Sequence, residues 1–159
     1  SRYVRFWGWA SWRRAWRHYE VEYPNFDNFI KTGGLSTATS SRREEKYWQK
    51  VAEKGITNTW DFQWLFTCWE QSMLTIIPSV NLVSNHGFHP GATHTTNIHS
   101  PHNRAASFEI KLPLAHPKFV IHNKLLDDQT IELEFLASFT RRVMFRVSKL
   151  RRKLNIYKK

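Results

Sequence analysis

Aromatic residues recur at helical spacing near the start of the chain. Trp9, Trp12 and Trp16 fall at i, i+3 and i+7, and neither Gly nor Pro interrupts residues 10–19. Because such positions share one side of a helix, the spacing predicts a short amphipathic helix with its three indoles on one buried face. Pro24 is expected to end this run.

Two further helices are predicted before the middle of the chain. Ser41 and Glu44 have the spacing of a capping box, in which each side chain binds the backbone amide that the other leaves free. Asn58 or Thr59 is placed to cap the next helix. That helix carries a dense apolar set: Trp60, Trp64, Phe66, Cys68 and Trp69.

Three other segments are predicted to be non-helical. Residues 32–41 are rich in Gly, Ser and Thr, which indicates a flexible loop. The apolar run 74–77 ends before Pro78 and predicts a β-strand, so that a helix passes directly into a strand. Residues 84–102 hold five of the eight histidines among Gly and Pro, and they predict a long irregular loop of the kind that often serves a function.

The end of the chain is strongly basic. Residues 140–159 hold nine Lys or Arg and no acid, within a chain whose formal net charge is +11. Apolar residues recur at helical spacing there, so residues 130–157 predict a basic amphipathic helix. We therefore divide the chain into a globular part at 1–128 and a helical tail at 129–159. The tail suits an anionic membrane surface, with docking on the protein's own core or binding of RNA as alternatives.

Composition excludes several classes of protein. The 159 residues are 41% hydrophobic, which is too apolar for a disordered chain, yet no run approaches the roughly 20 apolar residues of a membrane span. A lone Cys68 excludes an internal disulfide and a cysteine-based zinc site, and it favours the cytoplasm. The aromatic block directly after Ser1 leads us to expect a further part of the protein upstream.

Three groups of residues could carry chemistry. The indoles of residues 7–16 could stack on sugar rings, or they could simply form core. Asp61 lies among aromatic residues at the start of a helix and could accept a proton from a sugar hydroxyl. Alternatively, its negative charge could simply stabilise the helix through the helix dipole. His86, His89 and His94 could bind a divalent metal, although their spacing is not that of a zinc motif and an ordinary polar loop is the alternative.

Five motifs follow one another along the chain and carry a resemblance. They are the Trp-rich opening at 7–16, Asn-Thr-Trp-Asp-Phe-Gln-Trp at 58–64, Pro-Ser-Val-Asn-Leu-Val-Ser-Asn at 78–85, Ala-Thr-His-Thr at 92–95 and Leu-Pro-Leu-Ala-His-Pro at 112–117. Taken in order, they resemble bacterial glycosyltransferase-like proteins that are often labelled hemolytic-protein-like. The resemblance runs from about residue 6 to about residue 128.

This resemblance implies an α/β fold, namely the C-terminal, acceptor-side part of a nucleotide-diphospho-sugar transferase of GT-A type. It implies transfer of a sugar from a nucleotide-diphosphate donor to an acceptor hydroxyl, with no turnover in the absence of an N-terminal half. Trp7, Gly8 and Trp9 match the segment that lines the sugar and acceptor pocket. Asp61 matches the base of inverting members. His94 matches a histidine that joins the shell of the expected Mn²⁺ or Mg²⁺.

The partners implied by the resemblance are a nucleotide-sugar and a glycan acceptor. The basic tail adds peripheral contact with the inner face of a membrane, and nucleic acid ranks behind these partners. The alternative function is a non-enzymatic binding module whose tail docks on anionic membrane or nucleic acid. A metalloenzyme built on the histidine loop is the third hypothesis.

Overall fold

The computed structural model describes residues 1–23, 25–53, 59–100 and 102–136, which form helices joined by long irregular segments. In chain order the elements are α1 (Arg13–Trp16), α2 (Phe26–Lys31), α3 (Gly34–Ala38), α4 (Arg42–Glu53), α5 (Asp61–Glu70), α6 (Lys124–Thr130) and a π-helical turn (Ile131–Phe135). They belong to two compact units. Unit 1 contains the described residues of 1–23 and 59–122, and unit 2 contains those of 25–53 and 123–136.

The part of the chain that the structure describes contains no β-sheet. Asn85 and Asn103 form an isolated bridge, and the apolar run 74–77 is not a strand. Thr75 exchanges backbone hydrogen bonds with Ser1 at 2.8 and 3.0 Å, but this contact is too short to make a ladder. A strand needs a neighbouring strand to satisfy its amide and carbonyl groups. The predicted α/β class and its GT-A architecture are therefore wrong.

Unit 1 is built around α5. Seven consecutive residues of this helix, Gln63 to Trp69, are buried, and five of them are apolar, so this part of the helix is enclosed on every side. The predicted helix is thus confirmed, although Trp60 rather than Asn58 or Thr59 occupies the N-cap position. The start of the chain packs at the other end of α5, where the indole nitrogen of Trp69 donates to the carbonyl of Arg2 at 2.8 Å.

Unit 2 is built around α4. The amide of Glu44 donates to Ser41 Oγ at 3.2 Å, and the Glu44 carboxylate accepts from the amide of Ser40 at 2.8 Å. The predicted capping box is confirmed, with its second bond shifted by one residue. One turn on, the buried Trp48 lies 5.0 Å from the ring of Phe135 in the π-helical turn. These contacts anchor the chain around α4.

Two predicted boundaries in unit 2 differ from the structure. The Gly- and Ser-rich segment at 32–41 contains α3 instead of a loop, because the buried Leu35 anchors it. Helix α6 (Lys124–Thr130) ends at the residue where the C-terminal helix is predicted to begin, and the Asn123 side chain caps α6 by accepting the amide of Leu126. Residues 137–159 of the tail predicted at 129–159 lie outside the described residues, and the division of the chain at residue 128 stays a prediction. No helix in the described ranges is long and apolar enough to cross a membrane.

Candidate functional site

Gly8 separates two neighbouring indoles of unit 1. Its φ of 62° lies in the left-handed region, and a Cβ at this position would lie 2.5 Å from Cγ2 of Val83. Glycine is the residue that tolerates both constraints. The turn sends the ring of Trp7 towards Phe88, at 5.7 Å, and the ring of Trp9 towards Trp60, at 5.1 Å. Trp7 and Trp9 therefore contact two different parts of unit 1.

We expect Gly8→Ala to lower the free energy of unfolding by about 2 kcal/mol. A left-handed backbone costs a residue with a Cβ about 1–2 kcal/mol, and the clash with Val83 adds to that cost. Urea denaturation followed by circular dichroism measures the change. Gly91→Ala is the matched control, since its Cβ would lie 3.5 Å from the His89 ring, an ordinary contact. Equal stability changes in the two variants would contradict this account of Gly8.

Five aromatic side chains of unit 1 form what we call the indole cluster. Trp9 stacks on Trp60 with an angle of 23° between the rings, and Trp16 stacks on Tyr19 at 4.4 Å and 11°. Trp64 joins the two pairs, 6.0 Å from Trp9 and 5.0 Å from Trp16. Trp64 is buried in α5, whereas Trp16 and Trp60 are each 40% exposed. The cluster thus has its base in the core and two indoles open to solvent.

The helix predicted at residues 10–19 is shorter than expected. Only the four residues of α1 are helical, and Trp12 precedes them with an extended backbone. Its indole is consequently 68% exposed and lies under the guanidinium of Arg14, at 5.0 Å from the ring centre. The prediction that Trp12 shares a buried face with Trp16 is wrong, because the helix begins one residue too late to carry it.

Asp61 lies at the edge of the indole cluster, as the first residue of α5 and next to Trp60. Its Oδ1 accepts hydrogen bonds from the Thr59 hydroxyl and from the Phe62 amide, the latter at 2.9 Å. Among the residues that the structure describes, none donates to Oδ2. Burial raises the pKa of Tyr19, and the negative charge of Asp61 raises that pKa further. One carboxylate oxygen is thus held in place, and the other is available to accept a proton.

The histidine-rich loop is irregular, as predicted, and its two ends are joined. The amide of Arg104 donates to Asn85 O at 2.9 Å, and the amide of Phe108 donates to Asn81 O at 2.8 Å. Trp7 packs against this loop, 5.6 Å from the ring of His102. The loop and the Trp-rich opening therefore form one surface of unit 1.

His94 is exposed on this loop. In the described ranges no three His, Cys, Asp or Glu side chains gather as a metal site would require. These residues do not make a complete metal shell by themselves, so the metal role predicted for His94 stays a prediction.

Sequence reasoning missed Tyr19 as a member of the site. The residue contacts Trp16 and Trp64 and lies within electrostatic range of Asp61. Its position three residues after Trp16 was the available signal, because side chains at i and i+3 lie on one helical face. The pocket residues predicted at Trp7 and Trp9 do not meet in one place, since Gly8 turns the chain between them.

Comparison with protein-family models, with curated proteins and with solved structures gives no match. The resemblance to hemolytic-protein-like glycosyltransferases accordingly rests on the five sequence motifs.

Proposed function

We propose that the protein is a glycosyltransferase whose acceptor sugar binds at the indole cluster, with Asp61 as the general base. The observation that carries the proposal is a carboxylate with an available oxygen next to the half-exposed Trp60, in a cluster that also exposes Trp16. The proposal concerns this surface of unit 1 and does not depend on an α/β architecture.

The indoles supply the binding energy. A sugar ring presents polarised C–H bonds on its apolar face, and these pack favourably against the electron-rich face of an indole. Trp60 is stacked on Trp9, and Trp16 is stacked on Tyr19, so both exposed rings are held in fixed orientations. A preformed platform loses little conformational entropy on binding, which favours affinity.

Asp61 supplies the chemistry. As the acceptor oxygen attacks the anomeric carbon of the donor, Oδ2 takes the hydroxyl proton. The new glycosidic bond forms while the bond between the anomeric carbon and the diphosphate oxygen breaks, and the nucleoside diphosphate leaves with the electron pair. The hydrogen bonds from Thr59 and Phe62 fix the orientation of the carboxylate during this step. A divalent metal, where bound, would neutralise the charge of the leaving diphosphate.

A cytoplasmic location forms part of the proposal. Cys68 is a free thiol in the core of α5, and burial raises its pKa to about 12. The thiol therefore stays protonated and inert, and nothing in its surroundings calls for an oxidising compartment.

We expect Trp60→Ala to weaken saccharide binding by about 5- to 10-fold, because one stacking face is lost at a cost of about 1 kcal/mol. The test titrates the purified chain with a panel of neutral and acidic mono- and disaccharides. Binding is followed by NMR through the indole N–H signals, which report each tryptophan separately.

Phe119→Ala is the matched control, because it removes an exposed aromatic ring of unit 1 outside the cluster. This variant should bind saccharides as tightly as the unaltered chain. The proposal fails if no saccharide in the panel shifts the signals of Trp16 or Trp60, or if both variants weaken binding equally.

A further inference from the structure

Helix α1 places arginines beside an exposed indole of the cluster. Arg13 lies three residues before Trp16, so the two side chains share a face of the helix, and Arg17 lies four residues after Arg13 on that same face. Arg14 lies over the ring of Trp12. All three arginines are exposed. A ligand on Trp16 would therefore have guanidinium groups as neighbours.

These arginines have no acidic partner within the described ranges. Acidic side chains pair with other basic residues in unit 2, where Glu132 contacts Arg43 and Asp128 contacts Lys124.

A guanidinium presents several N–H donors in a planar fork that matches a carboxylate or phosphate group. The three arginines of this segment are exposed to solvent beside an aromatic platform. This arrangement is complementary to a ligand that combines a sugar ring with an anionic group.

We infer that the acceptor is an acidic saccharide, and that Arg13, Arg14 and Arg17 recognise its anionic group while Trp16 packs on its ring. The inference rests on the proposed function, since it names the class of acceptor for the same surface. The anionic group is a carboxylate, as in a uronic acid, or a phosphate ester.

The experiment compares sugars that differ in charge alone. Glucose, glucuronate and glucose 6-phosphate, and the same galactose series, are titrated into the chain, and binding is followed through the indole N–H signals. We expect the uronic acid and the sugar phosphate of each series to bind about tenfold more tightly than the neutral sugar. The tighter binder of these two shows whether the anionic group is a carboxylate or a phosphate ester. The preference should shrink when NaCl is raised from about 50 to about 200 mM.

The triple variant Arg13→Gln, Arg14→Gln and Arg17→Gln should bind neutral and anionic sugars equally. Its matched control is Arg42→Gln, Lys46→Gln and Lys50→Gln, which removes the same charge from an exposed face of α4 in unit 2. That control should keep the preference for anionic sugars.

The outcomes separate this inference from the function on which it rests. Equal binding of neutral and anionic sugars overturns the inference and leaves the glycosyltransferase proposal standing. An equal loss of preference in both triple variants also overturns it, because the effect would then come from net charge. The inference is also overturned if inorganic phosphate binds as tightly as the sugar phosphates. Failure of every sugar to bind overturns the function and the inference together.

Discussion

Replacing Asp61 with asparagine should lower the rate of sugar transfer by about 10²- to 10⁴-fold, the range typical for the loss of a general base. Asparagine has nearly the same shape and can still accept a hydrogen bond from Phe62, but its amide cannot take the proton of an acceptor hydroxyl. Because the exposed indoles are unchanged, the affinity for the acceptor should stay nearly the same. The rate of transfer falls, while binding of the acceptor does not.

The measurement uses the protein in the form that the cell produces. Alleles that encode Asp61→Asn, or no protein, replace the natural gene, and extracts are incubated with radiolabelled nucleotide-sugars and acceptor. The transfer that disappears in the deletion strain defines the activity of this protein. Asp61→Asn should remove almost all of that transfer, and a variant that keeps half of it would rule out Asp61 as the base.

The Tyr19 hydroxyl provides a structural control for the same substitution. Burial raises its pKa most, and the charge of Asp61 adds to the increase because two negative charges repel each other. Asp61→Asn removes the second contribution, so the pKa of Tyr19 should fall while burial still holds it above the ordinary value of 10.0. Ultraviolet difference titration, with Tyr19→Phe to assign the signal, measures this shift. An unchanged pKa would contradict the close approach of the two groups.

The features predicted correctly from the sequence depend on local interactions. The capping box needs only the spacing of Ser41 and Glu44, and the hydrogen bonds in the structure join residues within four positions of each other. Helix α5 could be predicted because six of the ten residues from Trp60 to Trp69 are bulky and apolar. Such elements can be predicted because the residues that determine them are neighbours in the sequence.

The features predicted wrongly depend on distant partners. The run at 74–77 has the composition of a strand, but whether it becomes one depends on a second strand, and none lies beside it in the described chain. The segment containing α3 has the composition of a loop, yet burial of Leu35 favours a helix there. The α/β class followed from the resemblance and from that single strand, and it failed with the strand.

For the candidate site, the sequence predicted individual residues but not the contacts between them. Asp61 and Trp9 were each identified from sequence motifs, but nothing local indicates that Trp9 stacks on Trp60, the residue before Asp61. That contact joins residues 51 positions apart in the sequence. The left-handed turn at Gly8 separates the two flanking indoles, and Trp9 is the one that joins the indole cluster.

Trp64→Ala should lower the free energy of unfolding by about 3–5 kcal/mol, the usual cost of removing a large buried aromatic ring. Trp64 is 3% exposed and contacts Trp9, Trp16 and Tyr19 of the cluster. Truncation leaves a cavity beside Trp9 and Trp16, so the platform should lose its fixed orientation as well as its support. Saccharide binding should therefore weaken together with stability.

Trp12→Ala is the matched control for Trp64→Ala, because it removes an exposed indole instead of a buried one. The sequence spacing placed Trp12 on the same buried face as Trp16, and on that basis its removal would also cost several kcal/mol. In the structure Trp12 is solvent-exposed and contacts the guanidinium of Arg14, a cation–π contact worth about 0.5–1 kcal/mol at an exposed site. Urea denaturation of the two variants separates these accounts. Similar losses of stability would mean that the helix extends back through Trp12, and a large difference supports the short α1.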